Sequence, residues 1–232
     1  MSESLCLACL MPDVGLEVCP HCGWQRGSPA RNPQHLAPGT ALNPPYRVAH
    51  VLGHGGFGIT YLGWDANLQI KVAIKGFLPR EFAQRDPRTG RVVPHADDTL
   101  HYFETGLQRF LEEARILAKF QQHPGIVSVL SFFRAFGTGY LVMEYFEGET
   151  LKHYLARGLG RLNWQQTLDV FMQVMDALRA VHQAGLLHRD IAPDNIYLCD
   201  DGRVKLLDFG EARYALKAQT QTLVVVKPGF AA

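Results

Sequence analysis

No stretch of this 232-residue chain approaches the ~18 consecutive apolar residues of a membrane span. The opening segment, Met1 to Gly15, lacks a basic start, and Cys9, Pro12 and Asp13 interrupt its apolar residues, so a secretory leader is not expected. Net charge is almost absent. Twenty-three Lys and Arg against 22 Asp and Glu leave +1, and no global field draws the chain onto nucleic acid or an anionic membrane. Cysteine is scarce and unevenly spread. Four of the five fall within the first 22 residues, a pattern that fits a metal site in a reducing compartment better than a secreted disulfide framework, so a cytoplasmic location is expected. With 47% hydrophobic residues, 22 Gly and 13 Pro, collagen-like and wholly disordered readings are excluded, and the length allows one good-sized domain or two smaller ones.

Cys6-x2-Cys9 and Cys19-x2-Cys22 are two CxxC turns separated by nine residues. Zn(II) takes four soft ligands at tetrahedral corners, which two such turns supply. Paired disulfides or unligated thiols are the alternative. His21 could substitute as a ligand, but four thiolates already complete a site and leave no open position, so the metal would be structural. Glu3, Asp13 and Glu17 against Arg26 give residues 1–28 a charge of minus two, unlike a nucleic-acid finger; a protein partner or a capping role is expected instead. Residues 1–24 are read as the knuckle. The following 25–44 is rich in proline and has no acidic residue or apolar periodicity, and it reads as a linker, partly extended.

From Tyr46 an alternating run leads into Gly53-x-Gly55-x-x-Gly58 and then another alternating run, as in an antiparallel hairpin. Glycines let backbone N–H groups approach phosphate oxygens. A dinucleotide site would need a helix after the third glycine, and Ile59 and Tyr61 continue as strand instead. Period two along Val72-Ala73-Ile74-Lys75 puts Ala73 and Lys75 on one face, where a small Ala can floor a base pocket while Lys75 reaches phosphate. A solvated edge lysine is the bland alternative. Leu107 to Phe120 reads as a helix on which Phe110, Glu113 and Leu117 share an inward stripe. A carboxylate there needs a cation, and Lys75 is the natural one, against a surface pair with Arg109.

A second helix is expected over Asn163–Ala184, with Asn163 as N-cap and Gly185 closing it. Two apolar stripes mark it, one of Trp164, Leu168, Phe171, Met175 and Leu178 and another of Val170, Val174, Ala177 and Val181, as for a buried helix. Beyond it come His188-Arg189-Asp190, Asn195 and Asp208-Phe209-Gly210, the last two sites five and eighteen residues after Asp190.

Taken in order, the glycine turn, the VAIK lysine, the helix glutamate, HRD, Asn and DFG make the chain resemble the eukaryotic-like Ser/Thr protein kinases of bacteria, in particular those preceded by a zinc ribbon. The resemblance covers residues 45–232. It implies an α+β, two-lobe kinase fold with an N-lobe at about 45–146 and an incomplete C-terminal lobe at 147–232, preceded by the small zinc ribbon. By this resemblance the chain transfers the ATP γ-phosphate to a protein Ser/Thr hydroxyl. Asp190 would accept the hydroxyl proton, Asn195 and Asp208 would hold Mg(II), and Lys75, paired with Glu113, would hold nucleotide phosphates. Gly53, Gly55 and Gly58 would cover those phosphates, and Ala73, Met143, Glu144 and Tyr145 would surround the adenine. Arg189 would read an activation-loop phosphate on Thr220 or Thr222.

Four departures stand out. Ala192 occupies the place where Ser/Thr kinases carry a phosphate-binding Lys, and Thr60 replaces a valine over the adenine. Residues 76–105 form an insertion with a turn at Asp86–Gly90, expected to be solvated or, alternatively, a docking surface. Lys227-Pro-Gly-Phe230 resembles the stretch just before the family's A-P-E signature, so the kinase domain is expected to be truncated in its activation segment. A non-catalytic, nucleotide-binding scaffold acting through protein partners is the competing reading.

Overall fold

The computed structural model describes residues 5–158, 160–210 and 212–214, which divide into two compact units: residues up to 114 with 129–145, and 115–128 with 146 onward. The activation-segment positions Thr220, Thr222 and Lys227 lie outside the described residues.

The first unit contains β1 (Tyr46–Gly55), β2 (Gly58–Asp65), β3 (Ile70–Phe77), β4 (Ala83–Arg85), β5 (Val92–Pro94), α1 (Asp97–Leu117, of which residues to 114 belong here), β6 (Val129–Ala135) and β7 (Thr138–Glu144). Five of the strands form one antiparallel sheet in the order β1-β2-β3-β7-β6. Alternation along β3 buries Val72 and Ile74 completely and leaves Ala73 and Lys75 half-buried on the other face, as period two requires. Helix α1 lies close on this sheet because two positions lack a side chain. A Cβ on Gly106 would come within 2.7 Å of Phe77, and one on Gly139 within 2.9 Å of Leu107.

Helix α1 begins ten residues before the expected start at Leu107, inside the stretch read as an insertion. That stretch is packed rather than solvated: Leu78, Ala83, Arg85, Val92 and Phe103 are all buried, and β4 pairs with β5. The turn at Asp86–Gly90 forms as expected, with Asp86 Oδ1 accepting from Arg88 N at 2.8 Å and Gly90 in the left-handed region at φ 69°. Arg85, 2% exposed, donates from Nε to the Gln34 carbonyl at 3.0 Å and from Nη1 to the Gly90 carbonyl and the Tyr140 hydroxyl. Burial pushes the Tyr140 hydroxyl up, so it meets the guanidinium as a neutral acceptor.

The N-terminal segment is part of this unit. Its two CxxC turns are copies of one knuckle: Leu10 N donates to Cys6 O as Gly23 N donates to Cys19 O, and Cys6 N reaches Met11 O as Cys19 N reaches Trp24 O. The residue after the second cysteine of each turn is left-handed, with Gly23 at φ 69° and Leu10 at φ 59°. Gly is the ordinary occupant there; Leu is strained. Leu10 nonetheless buries its side chain among Ala49 of β1 and Leu62 of β2, with Trp64 and Tyr145 against the cluster, and His50 Nδ1 donates to Ala8 O at 2.7 Å.

Residues 25–44, expected to be a linker, join the sheet from Leu36 onward. Gly39 N donates to Val48 O, Val48 N donates to Thr40 O, and Leu36 N donates to the Tyr61 hydroxyl. In place of the partly extended run expected, it folds through turns in which Ser28 N donates to Gln25 O, His35 N to Asn32 O and Thr40 N to Ala37 O; the pairing to β1 and the contact between Gln34 and Arg85 fix it in place.

The second unit contains β8 (Gly148–Thr150), α2 (Leu151–Arg157), α3 (Trp164–Gln183), β9 (Leu186–Leu187), β10 (Ile196–Cys199), β11 (Val204–Leu206) and β12 (Arg213–Tyr214). Sheets β11-β10-β8 and β12-β9 flank the loops that carry the polar motifs. Asn163 caps α3 in a full capping box with Gln166, and Gly185 follows at φ 72°. Of the two stripes on α3, Val170, Val174, Ala177 and Val181 are buried, whereas Trp164, Leu168, Phe171 and Met175 are exposed among the described residues, so burial on both sides is not observed. Cys199 is buried, as a structural cysteine should be.

Candidate active site

Each unit presents its own polar set. In the first, the β1–β2 turn carries Gly53, Gly55 and Gly58. A Cβ on Gly58 would lie 2.3 Å from the Gly76 carbonyl of β3, so this glycine is required by close backbone approach. Lys75 Nζ lies 3.0 Å from Glu113 Oε1 and 3.4 Å from Oε2. The carboxylate side chain is 4% exposed and the lysine 17%, so the pair is well shielded, and the Lys75 ammonium also stands 5.9 Å from the centre of the Phe110 ring. The stripe on α1 therefore delivers Glu113 to the sheet as the periodicity predicts. Across the ladder Ala73 pairs with Met143, and Glu144 with Val72, which puts Met143 on the same face as Ala73; Tyr145 follows immediately, its ring 5.6 Å from Lys71 Nζ.

In the second unit Asn195 Nδ2 donates to both the carbonyl and the Oδ2 of Asp190, each at 2.8 Å. This fixes the Asp190 carboxylate and turns the carboxamide oxygen of Asn195 away from it, free for another partner. Asp208 and Arg189 both sit in the left-handed region, at φ 54° and 68°, backbone conformations that cluster at functional sites. Asp208 Oδ1 accepts from Gly210 N at 3.2 Å.

His188 carries a structural task that the motif alone does not reveal. Its Nε2 donates to the Leu207 carbonyl at 3.0 Å and its Nδ1 accepts from the Asp190 amide at 3.3 Å, so the ring is neutral with its proton on Nε2. Desolvation lowers its pKa, against the Leu207 carbonyl and the charges of Asp208 and Asp190, which raise it. The ring also meets Phe209 edge-on at 4.6 Å. One imidazole thus ties the residue before Asp208 to the backbone of Asp190. Ala192 is 3% exposed, and two residues on, Asp194 pairs with Lys152 Nζ at 2.9 Å.

The four cysteine sulfurs of the knuckles lie within 4.8 Å of one another, with Cys6 and Cys22 at 3.9 Å and Cys9 and Cys19 at 3.7 Å. None is in a disulfide. Desolvation raises the Cys19 thiol, but the amides of Cys22 and His21 and neighbouring thiols outweigh it and bring it down to about 7. Desolvation pushes Cys9 up to about 12. Four sulfurs at this spacing, from two knuckles facing one another, form a soft donor set that fits a tetrahedral metal.

A glycine turn over a strand lysine, a buried lysine–glutamate pair, and an Asp–Asn loop followed by Asp-Phe-Gly define a protein kinase domain, and residues 46–232 match the family model for that domain. The chain belongs to the protein kinase domain family. Its lineage is that of the Ser/Thr kinases: it is 34% identical over 197 residues to the serine/threonine-protein kinase PknK of Mycobacterium tuberculosis, across 84% of this chain and 16% of that protein. It is 36% identical over 194 residues to PknA of the same species, across 81% of this chain and 40% of PknA, and 35% identical over 182 residues to pkn2 of Myxococcus xanthus, across 77% of this chain and 19% of pkn2. The chain therefore spans well under half the length of these curated relatives. Among solved structures it is similar to "PpkA-294 apo form", with a TM-score of 0.72 and 33% identity over 76% of this chain and 62% of that one. No helix among the described residues is long and apolar enough to cross a membrane.

Proposed function

We propose that this chain binds ATP with Mg(II) and transfers the γ-phosphate to a Ser or Thr hydroxyl of a protein. The buried pair of Lys75 and Glu113 carries the reading, because a shielded carboxylate at 3.0 Å holds the ammonium extended on the face it shares with Ala73. Lys75 binds nucleotide phosphate, the amides of the Gly53–Gly58 turn cover it, and Ala73, Met143, Glu144 and Tyr145 receive the adenine. Asp190, oriented by Asn195, accepts the proton of the attacking hydroxyl. The Asp208 carboxylate and the Asn195 carboxamide oxygen are hard donors suited to Mg(II), which when bound neutralises phosphate charge. Neutral His188 keeps the Asp190 and Asp208 segments in register and takes no proton itself.

Cys6, Cys9, Cys19 and Cys22 hold one structural zinc, in a ribbon that also offers a surface to a protein partner. Reduced thiols fit a cytoplasmic setting. The buried Ala192, standing where the family has lysine, favours a second reading: a nucleotide-binding scaffold with little or no turnover.

Calorimetry of MgATP binding together with phosphate transfer to a mixed protein substrate separates the two. Lys75→Met and Asp208→Ala should each weaken binding at least tenfold, and Asp190→Ala should abolish transfer while sparing binding. Equal affinity in all four proteins would refute the site. Binding without transfer would establish the scaffold.

A further inference from the structure

The glycine-rich turn is held by side chains outside its own motif. His54, between Gly53 and Gly55, packs against the ring of His35 with centroids 4.9 Å apart and the planes tilted by 32°, and its Nδ1 lies 2.9 Å from Arg80 Nη2. A guanidinium only donates, so Nδ1 accepts, and the His54 ring is neutral with its proton on Nε2. Arg80 follows β3, and its carbonyl accepts from His95 Nε2 at 3.0 Å, just ahead of α1. His35 stands just before Leu36, where the N-terminal segment joins the sheet, and its Nε2 is buried with no hydrogen-bond partner. The titratable groups that act on His35 are His54, Arg80 and Arg85; no carboxylate is among them.

Such a cluster works in one protonation state only. A proton added to His54 Nδ1 turns the acceptor for Arg80 into a second donor and sets two positive charges face to face. A proton added to His35 charges a ring already packed against His54 and within the field of Arg80 and Arg85. Burial, and after it the charges of His54, Arg80 and Arg85, lowers the His35 pKa.

We propose that His54 is a positioning residue: through Arg80 and His35 it latches the glycine-rich turn to the N-terminal segment and to the stretch ahead of α1, and protonating this cluster in mildly acidic solution frees the turn. The inference rests on the reading of that turn as a nucleotide cover. A latched turn presents its amides already oriented; a released turn must be ordered by the nucleotide, at a cost in affinity. Burial and its cationic neighbours hold His35 below the ordinary histidine value of about 6.5, so the release comes as the pH falls below that value.

The test compares wild type, His54→Gln and Arg80→Met in the full chain. Glutamine offers Arg80 a carbonyl oxygen and does not titrate. MgATP affinity is measured by calorimetry at pH 8 and pH 6, and hydrogen exchange of amides 53–58 is followed at both. Wild type should lose about fivefold in affinity relative to His54→Gln on going from pH 8 to pH 6, a ratio in which the nucleotide's own titration cancels. Arg80→Met should show at pH 8 the weaker binding and faster exchange that wild type reaches at pH 6. A wild type that tracks His54→Gln at both pH values, with Arg80→Met indistinguishable from either, overturns the latch. Where no variant binds nucleotide, the kinase reading falls, and exchange decides the latch alone: amides 53–58 unchanged in Arg80→Met and between the two pH values refute it.

Discussion

Leu10 occupies a backbone position that its own sequence repeat gives to Gly23, and this sets up a reversal of the usual order of substitutions. At φ 59° a residue with a Cβ carries about 1–2 kcal/mol of strain. The side chain is 8% exposed against Ala49 and Leu62, burial worth roughly 1.5–3 kcal/mol for a leucine. Leu10→Ala forfeits that burial and keeps the strain. Its cost should be about 2–3 kcal/mol, the low end for Leu→Ala, because the knuckle can settle toward the sheet. Leu10→Gly forfeits the same burial but relieves the strain, so it should be less destabilised than Leu10→Ala by about 1 kcal/mol, whereas inside ordinary strands or helices glycine is the worse by ~0.5–1 kcal/mol. Urea unfolding in saturating zinc measures both, and hydrogen exchange of the Ala49 and Leu62 amides reports whether the loss is felt in β1 and β2. Leu10→Gly less stable than Leu10→Ala would refute the strain argument. Both variants within about 0.5 kcal/mol of wild type would refute the docking of the knuckle on the sheet.

Replacing Glu113 with Gln keeps the shape and deletes the charge that holds Lys75; nucleotide affinity should fall about tenfold while stability changes by no more than about 2 kcal/mol, checked by calorimetry and melting. His188, lowered by burial, binds its proton more readily in the unfolded chain. Stability of the second unit is therefore full above the unfolded value of about 6.5 and is lost as pH falls below it toward the depressed folded value, a trend that His188→Gln should flatten in exchange measured at pH 7.5 and pH 5.5.

The chemistry was more legible in the sequence than the architecture. Periodicity placed Glu113 on the inward stripe and Lys75 beside Ala73, and the ion pair at 3.0 Å follows from those two facts. Asn163 was legible as the N-cap of α3, and Gln166 completes the capping box that the reading did not include. The start of α1 was hidden because Asp97 to Gly106 is mostly polar and ends in glycine, so only Phe103 extends the buried stripe, while Asp97 and Asp98 in the first turn were the overlooked signal. The docking of residues 5–44 could not be read locally. It depends on pairs far apart in sequence, such as Gln34 with Arg85, and its one local trace was a leucine standing where the repeated knuckle has glycine. Likewise His54 reads as a filler between two glycines until Arg80, 26 residues away, is brought beside it.

The way the N-terminal segment is fastened bears on what a cut in it would do. Arg26 and Arg31 are exposed, and between them the chain is anchored neither to β1 nor to β2. On one side the knuckles hold to the sheet through Leu10 and His50; on the other Leu36, Gly39 and Thr40 hold to it independently. A protease cleaving after either arginine would sever the covalent chain and release nothing. The two fragments would stay together as a noncovalent complex and part only when the sheet itself unfolds.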